Sequence, residues 1–319
     1  MMKNITIIIP VYKEELSIHS LYSELKPITE NHFNEYEVIF IDDGSNDSSF
    51  KIINEISCSD PNVIAIKLNR NYGKSDAINE GFKIAKYDYI VTLDADLQDD
   101  PNEIIKLVNI LDEGWDCVSG WKKNRKDPLS KTIPSFFFNK FVNFLSGLKL
   151  HDLNCGIKSY KKDAIQSINI YGGLHRYIPL LLFNNGYKVT EHIVNHRPRL
   201  HGHTKYGKSR FFHGIFDFLT IYFLKKYFNK PMYFFGSVGL LLSTIGLSIN
   251  AYLSFFWIYN NYLTVLSKSF TINRPLLFLG ILLVVVGIQS LSIGLIGELI
   301  VHTSRKKDKK IKKIVQKTK

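Results

Sequence analysis

Short apolar runs alternate with amphipathic stretches over the first 120 or so residues. Ile5-Thr6-Ile7-Ile8-Ile9 is continuous and rich in β-branched residues, the pattern of a strand covered on both faces. Val38-Ile39-Phe40-Ile41, Val63-Ile64-Ala65-Ile66 and Tyr89-Ile90-Val91-Thr92-Leu93 repeat it. Residues 15–31, 46–57 and 75–86 carry helical spacing between them, and Asn46-Asp47-Ser48 reads as a helix start. Strands alternating with helices predict an α/β domain with a mostly parallel sheet and right-handed crossovers. Ligands then belong at the carboxyl ends of the strands.

The chain changes character near its end. Residues 232–257 hold no charged side chain, nor do residues 275–297. Each stretch is longer than the roughly 20 residues that cross about 30 Å of hydrocarbon, so a two-helix membrane hairpin is expected. Lys225, Lys226 and Lys230 precede the first span, whereas the intervening loop carries Lys268 and Arg274. That bias puts both termini on the cytoplasmic side of the inner membrane. Residues 133–148 and 211–228 are aromatic-rich but broken by polar residues, and are expected as amphipathic helices at the membrane surface, packing on the sheet being the alternative. The expected organisation is a catalytic domain over 1–210, a juxtamembrane helix over 211–230, the hairpin over 231–302 and a tail over 303–319.

Composition refines this picture at one point. The formal charge of +12 is concentrated in Arg305–Lys319, which alone contributes +8. A basic tail beside an apolar span suits anionic lipid better than nucleic acid. Cys58, Cys117 and Cys155 are far apart without CxxC spacing, which excludes a disulfide framework or zinc ribbon.

The chemistry concentrates where strands are expected to end. Asp94-Ala95-Asp96 follows the fourth strand, and carboxylates at i and i+2 can converge as oxygen ligands for Mg²⁺ or Mn²⁺, with Gln98 within reach. Asp99 and Asp100, ahead of Pro101, look like helix-start residues. Asp42-Asp43-Gly44-Ser45 can accept hydrogen bonds from a ribose or a base at a tight turn, or be an ordinary turn. Asn69–Ser75 opens a helix with a lysine, Lys74, suited to phosphate. Neither GxxxxGK[ST] nor GxGxxG occurs, so neither a P-loop ATPase nor a dinucleotide oxidoreductase is supported. His196, His201 and His203 have ligand-like spacing without neighbouring carboxylates, and Trp115 and Trp121 read as packing residues.

Together, Ile8-Ile9-Pro10-Val11-Tyr12-Lys13-Glu14-Glu15, the Asp42–Ser45 turn, Arg70-Asn71-Tyr72-Gly73-Lys74 and Asp94-Ala95-Asp96-Leu97-Gln98-Asp99 resemble the family 2 glycosyltransferases. Within that family the resemblance is to the polyprenyl-phosphate sugar transferases, the group of dolichol-phosphate mannose synthases and bactoprenol glucosyltransferases. His151–Tyr160, Gly173–Pro179 and Arg197–Tyr206 extend it, as do the paired C-terminal spans. Thr204 and Asn154 stand where Ser and Gly are usual.

The resemblance implies a GT-A fold, a nucleotide-sugar donor (a UDP-sugar favoured), a divalent cation, and inversion at the anomeric carbon. It implies that Pro10, Tyr12, Glu14, Asp42, Asp43, Lys74 and Asp94 hold the donor, and that Asp94, Asp96 and Gln98 hold the cation. Asp96, Asp152 and Arg125 are the expected catalytic residues. Arg199, Lys205 and Arg176 are expected to meet the acceptor phosphate. Glucose is the expected sugar, with N-acetylglucosamine, galactose and mannose as alternatives, and undecaprenyl phosphate is the expected acceptor, a homo-oligomer being compatible. Transfer to another lipid, or a non-catalytic membrane scaffold, are the rivals. A processive synthase is excluded by the missing QxxRW signature.

Overall fold

The computed structural model describes residues 3–123, 142–143, 146–198, 216, 218, 220–223, 226–227, 230–263 and 274–304. The expected Arg125, Arg199 and Lys205, most of the 133–148 helix and the basic tail lie outside the described residues.

Residues 1–222 form one compact unit. Its seven-stranded sheet has the order β3-β2-β1-β4-β6-β5-β7. The strands are β1 (Lys3–Val11), β2 (Phe33–Asp42), β3 (Val63–Lys67), β4 (Tyr89–Thr92), β5 (Cys117–Trp121), β6 (Lys158–Lys161) and β7 (Val189–Ile193). β6 alone runs antiparallel, wedged between β4 and β5. The first four strands fall where the apolar runs predict them, joined by α1 (Ile18–His32), α2 (Ser49–Ser59) and α3 (Lys74–Ile84). α4 (Glu103–Asp112) links β4 to β5, and α5 (Lys162–Ile165), a 3₁₀ turn (Leu174–Tyr177) and α6 (Ile178–Asn184) link β6 to β7.

Central strands bury both faces. Ile5, Ile7 and Ile9 of β1 join Leu21 and Leu25 of α1 and Leu107 of α4 in one apolar layer. Ile8, Ile39 and Ile41 join Ile78 and Phe82 of α3 in the other. Alternate side chains of one strand therefore feed opposite layers, which is why these runs are continuous rather than alternating.

This compact unit includes described residues beyond 210. Phe218 (1 % exposed) and Ile221 (3 % exposed) lie in the α3-side layer with Tyr177 and Ile178. These two side chains of the 211–230 stretch pack on the domain, whereas Phe216 is exposed.

The second unit, residues 223–319, contains α7 (Pro231–Ile258), a π turn (Tyr259–Leu263) and α8 (Arg274–Ser304). Both helices are long and apolar enough to cross a membrane. Their backbones meet at glycines: a Cβ on Gly239 would lie 2.6 Å from the Gly287 carbonyl oxygen, and one on Gly246 2.5 Å from that of Gly280. Small residues that allow such approach are the usual seam between helices in lipid. Leu240, Leu241, Phe255, Phe278 and Leu299 are exposed, a surface suited to hydrocarbon rather than water.

Candidate active site

The site is built from loops at the carboxyl ends of β1, β2 and β4, stitched together by side chains on backbone. Ser45 Oγ accepts from Lys13 N at 2.9 Å, and Ser49 Oγ from Glu14 N at 2.9 Å. The Pro10–Glu15 segment therefore lies against the Asp42–Ser49 turn, and Pro10 pairs with Ile41 at the strand ends. Lys13 takes a positive φ of 54° in this loop. Asp43 reaches across to the next loop, where Oδ1 accepts from Tyr72 N at 2.7 Å and Oδ2 from Gly73 N at 2.9 Å. Burial raises the Asp43 pKa, those two N–H groups opposing it. Gly44 (φ 68°) is needed where the loops touch: a Cβ there would sit 2.4 Å from the Arg70 carbonyl carbon. Asp42 is placed differently from its expected donor role. It has no exposed surface and accepts from Ser45 N, so it closes the turn from inside rather than meeting a ligand.

β4 delivers Asp94. Its Oδ1 is ion-paired with Lys74 Nζ. Burial pushes the Asp94 pKa upward, but the Lys74 ammonium, helped by Lys122 and Lys158, holds it at about 2. Asp96 follows on the turn, its Oδ1 accepting from Gln98 N at 3.2 Å. Between them and the helix, Leu97 adopts a left-handed φ of 61° while its side chain stays 3 % exposed in the core. Such a conformation costs a non-glycine residue about 1–3 kcal/mol and persists where packing imposes it. Asp99, expected as a helix-start residue, lies ahead of α4 but also packs inward. It is buried, its Oδ1 lies 2.8 Å from Lys122 Nζ, and its backbone bridges to His196. Burial works against the Lys122 charge, yet Asp99 keeps its pKa above the ordinary lysine value.

The 152–158 segment supplies the opposite wall. A Cβ on Gly156 would lie 2.5 Å from Asp99 Oδ2 and 2.6 Å from Asp94 Oδ2, so the missing side chain lets two carboxylates close on one point. Asp152, 2 % exposed, uses Oδ1 to accept from Asn154 N at 3.1 Å. That contact lies within the 152–158 loop that carries Gly156. Lys158 is buried on β6 and donates to the Cys155 carbonyl; burial and the nearby Lys74 lower its pKa. Lys74, Asn154, Gly156, Lys158 and His175 line a narrow cavity of about 10 Å³, space for one water.

His175 fastens the start of α3. Its backbone N–H donates to Ser75 Oγ at 3.0 Å, and the same oxygen lies 2.8 Å from His175 Nδ1, within hydrogen-bond reach. Burial, then the charges of Lys74 and Arg176, keep its pKa well below the usual histidine value. Arg176 follows on the same turn, on the α3 side of the site. Arg197 pairs with Glu24 Oε2 (2.6 Å) and Asp100 Oδ1 (3.0 Å), which ties the start of the 197–206 segment to the Asp94–Asp100 loop.

Of the expected residues, the structure gathers Pro10, Tyr12, Glu14, Asp43, Lys74, Asp94, Asp96 and Gln98 on these adjoining loops, with Asp152 and Arg176 behind them. Ser75, Lys122, Lys158 and His175 were not singled out. Lys158 lies on a polar strand that no local pattern marks, and Ser75 and His175 acquire meaning only from their contact across 100 residues.

Among the described residues no three His, Cys, Asp or Glu side chains are arranged to hold a metal alone. Asp94 and Asp96 instead fit a hard cation of the kind bound by one or two carboxylates and completed by substrate phosphates.

A mostly parallel α/β sheet with acidic and basic groups on the loops at its strand ends has the architecture of the GT-A type. Residues 6–168 match Glycosyl transferase family 2, and the chain belongs to that family; it is a glycosyltransferase. It is 33 % identical over 313 residues to dodecaprenyl-phosphate galacturonate synthase of Rhizobium johnstonii, covering 95 % of this chain and 89 % of the relative. It is 31 % identical to undecaprenyl-phosphate 4-deoxy-4-formamido-L-arabinose transferase of Aeromonas hydrophila, covering 93 % and 88 %. Among solved structures, glucosyl-3-phosphoglycerate synthase from Mycobacterium tuberculosis with Mn²⁺ and UDP-glucose superposes with a TM-score of 0.54 at 16 % identity, over 69 % of this chain and 79 % of that one. This last likeness is one of fold.

Proposed function

We propose that the protein transfers one sugar from a nucleoside-diphosphate sugar to the phosphate of a membrane polyprenyl lipid. The observation that carries this reading is Asp94 and Asp96 at the end of β4, beside the loop that Asp43 clamps to the start of α3. The two relatives, whose names both specify polyprenyl-phosphate acceptors, support the lipid.

A phosphate oxygen of the lipid attacks the anomeric carbon as the bond from that carbon to the nucleoside diphosphate breaks, with inversion. Both the attacking and the leaving groups are phosphate anions, so no base has to remove a proton. Asp152, buried beneath its loop, accordingly positions rather than deprotonates. Asp94 and Asp96 would hold a divalent cation, Mn²⁺ or Mg²⁺, which would supply positive charge for the leaving diphosphate. This chain's part is to hold the donor between the Tyr12–Glu14 and Asp43 loops, to exclude water with the Gly156 wall, and to present Lys74 and Arg176 toward phosphate. α7 and α8 anchor the enzyme in the inner membrane with both ends on the cytoplasmic side, the basic tail adding attraction to anionic lipid.

Glucose is not among the sugars named by these two relatives, a uronic acid and a formamido pentose. Those two replace it as the first donors to try, with a uridine nucleotide. The test is transfer from radiolabelled nucleotide-sugars to undecaprenyl phosphate by the purified full-length protein with Mn²⁺ or Mg²⁺. Labelled lipid from one donor, abolished at least 100-fold by Asp96→Asn, supports the reading. Full activity in that variant, or labelled lipid with no donor, overturns it.

A further inference from the structure

Lys74 holds an oxygen that a cation would need. Its ammonium lies on Asp94 Oδ1, while Asp94 Oδ2 faces Gly156 near the buried Asp99, so Lys74 occupies the oxygen away from the Gly156 wall. The backbone around Lys74 is fastened at both ends: Tyr72 N and Gly73 N on Asp43, and Ser75 on His175. Its side chain is not buried with the pair; it is 24 % exposed, and that of Asp94 29 %. Lys122, by contrast, is 12 % exposed against an Asp99 side chain with no exposure. One ion pair is sealed in the protein, then, and the other is open to whatever enters the site. A lysine is a compact ammonium on a flexible stem, able to swing about a fixed Cα.

We propose that Lys74 is an exchangeable counter-ion. It neutralises Asp94 in the substrate-free enzyme and leaves that carboxylate when a divalent cation arrives with the nucleoside diphosphate, its ammonium passing to the diphosphate. This rests on the donor reading above and adds the order of events: cation and nucleotide enter together, because each supplies what the exchange requires. Binding of one must then raise the affinity for the other by the same factor.

The experiment uses full-length protein in detergent and follows Mn²⁺ by loss of the free-ion electron paramagnetic resonance signal, with and without UDP and with no acceptor. Wild type is expected to bind Mn²⁺ at least tenfold more tightly with UDP present. Lys74→Met is expected to bind Mn²⁺ alone at least tenfold more tightly than wild type, yet to bind UDP more weakly at saturating Mn²⁺. Those opposite signs mark an ammonium that moves. A static lysine would change Mn²⁺ binding without weakening UDP, and a supporting lysine would weaken both; either result overturns the exchange while leaving the donor site in place. Lys74 is at a helix start and part-exposed, and a thermal melt matching wild type establishes that the variant is folded; Lys74→Gln repeats the measurement in a polar side chain. Wild-type protein that binds neither Mn²⁺ nor UDP overturns the donor reading and the exchange together.

Discussion

Replacing Gly156 by alanine tests the site at its tightest point. The new methyl would lie 2.5 Å from Asp99 Oδ2 and 2.6 Å from Asp94 Oδ2, against the roughly 3.5 Å at which nonbonded atoms rest. About 1 Å must be found. Asp99 cannot readily supply it, being sealed against Lys122, so the part-exposed Asp94 yields. Overpacking of this kind costs about 1–3 kcal/mol. At about 2–4 °C per kcal/mol for a domain of this size, the melting temperature should fall by a few degrees. A displacement near 1 Å in a group that positions substrate costs about 100-fold in rate. The assay is initial-rate transfer of labelled sugar alongside a thermal melt. Gly186→Ala is the comparison: its φ of 86° strains any side chain, but nothing lies within 4 Å of the added carbon. It should lose stability and keep its turnover. A Gly156→Ala enzyme with wild-type turnover would show that Asp94 and Asp99 need not converge there.

Ser75→Ala removes the partner of both the His175 N–H and Nδ1, and should destabilise the domain by about 1–3 kcal/mol in a denaturant titration. Asp152→Asn keeps an oxygen to accept from Asn154 N, so turnover should drop less than tenfold; a loss near that of Asp96→Asn would give Asp152 a direct part in the chemistry. Asp60, 4 % exposed, takes hydrogen bonds from Tyr22 and Asn62 and an ion pair from Lys26. Burial raises its pKa, but these partners lower it below the usual value overall. A depressed folded-state pKa stabilises above the unfolded value near 4 and is lost as pH falls through the folded one. Asp60→Asn should therefore cost about 1–3 kcal/mol at neutral pH, with the gap to wild type narrowing below pH 4 in urea melts.

The periodicity of residues 1–93 was enough for four parallel strands and three helices because the apolar runs of β1, β2 and β4 are buried by their neighbours, and the edge strand β3 keeps the same β-branched pattern. β5, β6 and β7 were not legible. β6 reads Lys-Ser-Tyr-Lys, and such a strand exists only because β4 and β5 offer edges on either side of it. The spans α7 and α8 were plain, since length and absence of charge are properties of the chain alone.

For the site, order along the chain located the acidic turns after β2 and β4 and the lysine that opens α3. What tertiary structure decided is how each charged group is used. Asp42 and Asp43 are neighbours of one type, yet one turns inward to its own loop and the other clamps a distant one. Asp99 looks like Asp100 in sequence, but the approach of Lys122 and Gly156 buries it. Ser75 and His175 form one latch from opposite halves of the domain. The sequence by itself therefore determined the class of fold, the family and the two long apolar helices. Which carboxylates face a ligand depended on the tertiary structure, because exposure and ion pairing arise between segments remote in the chain, and local pattern carries no record of those encounters.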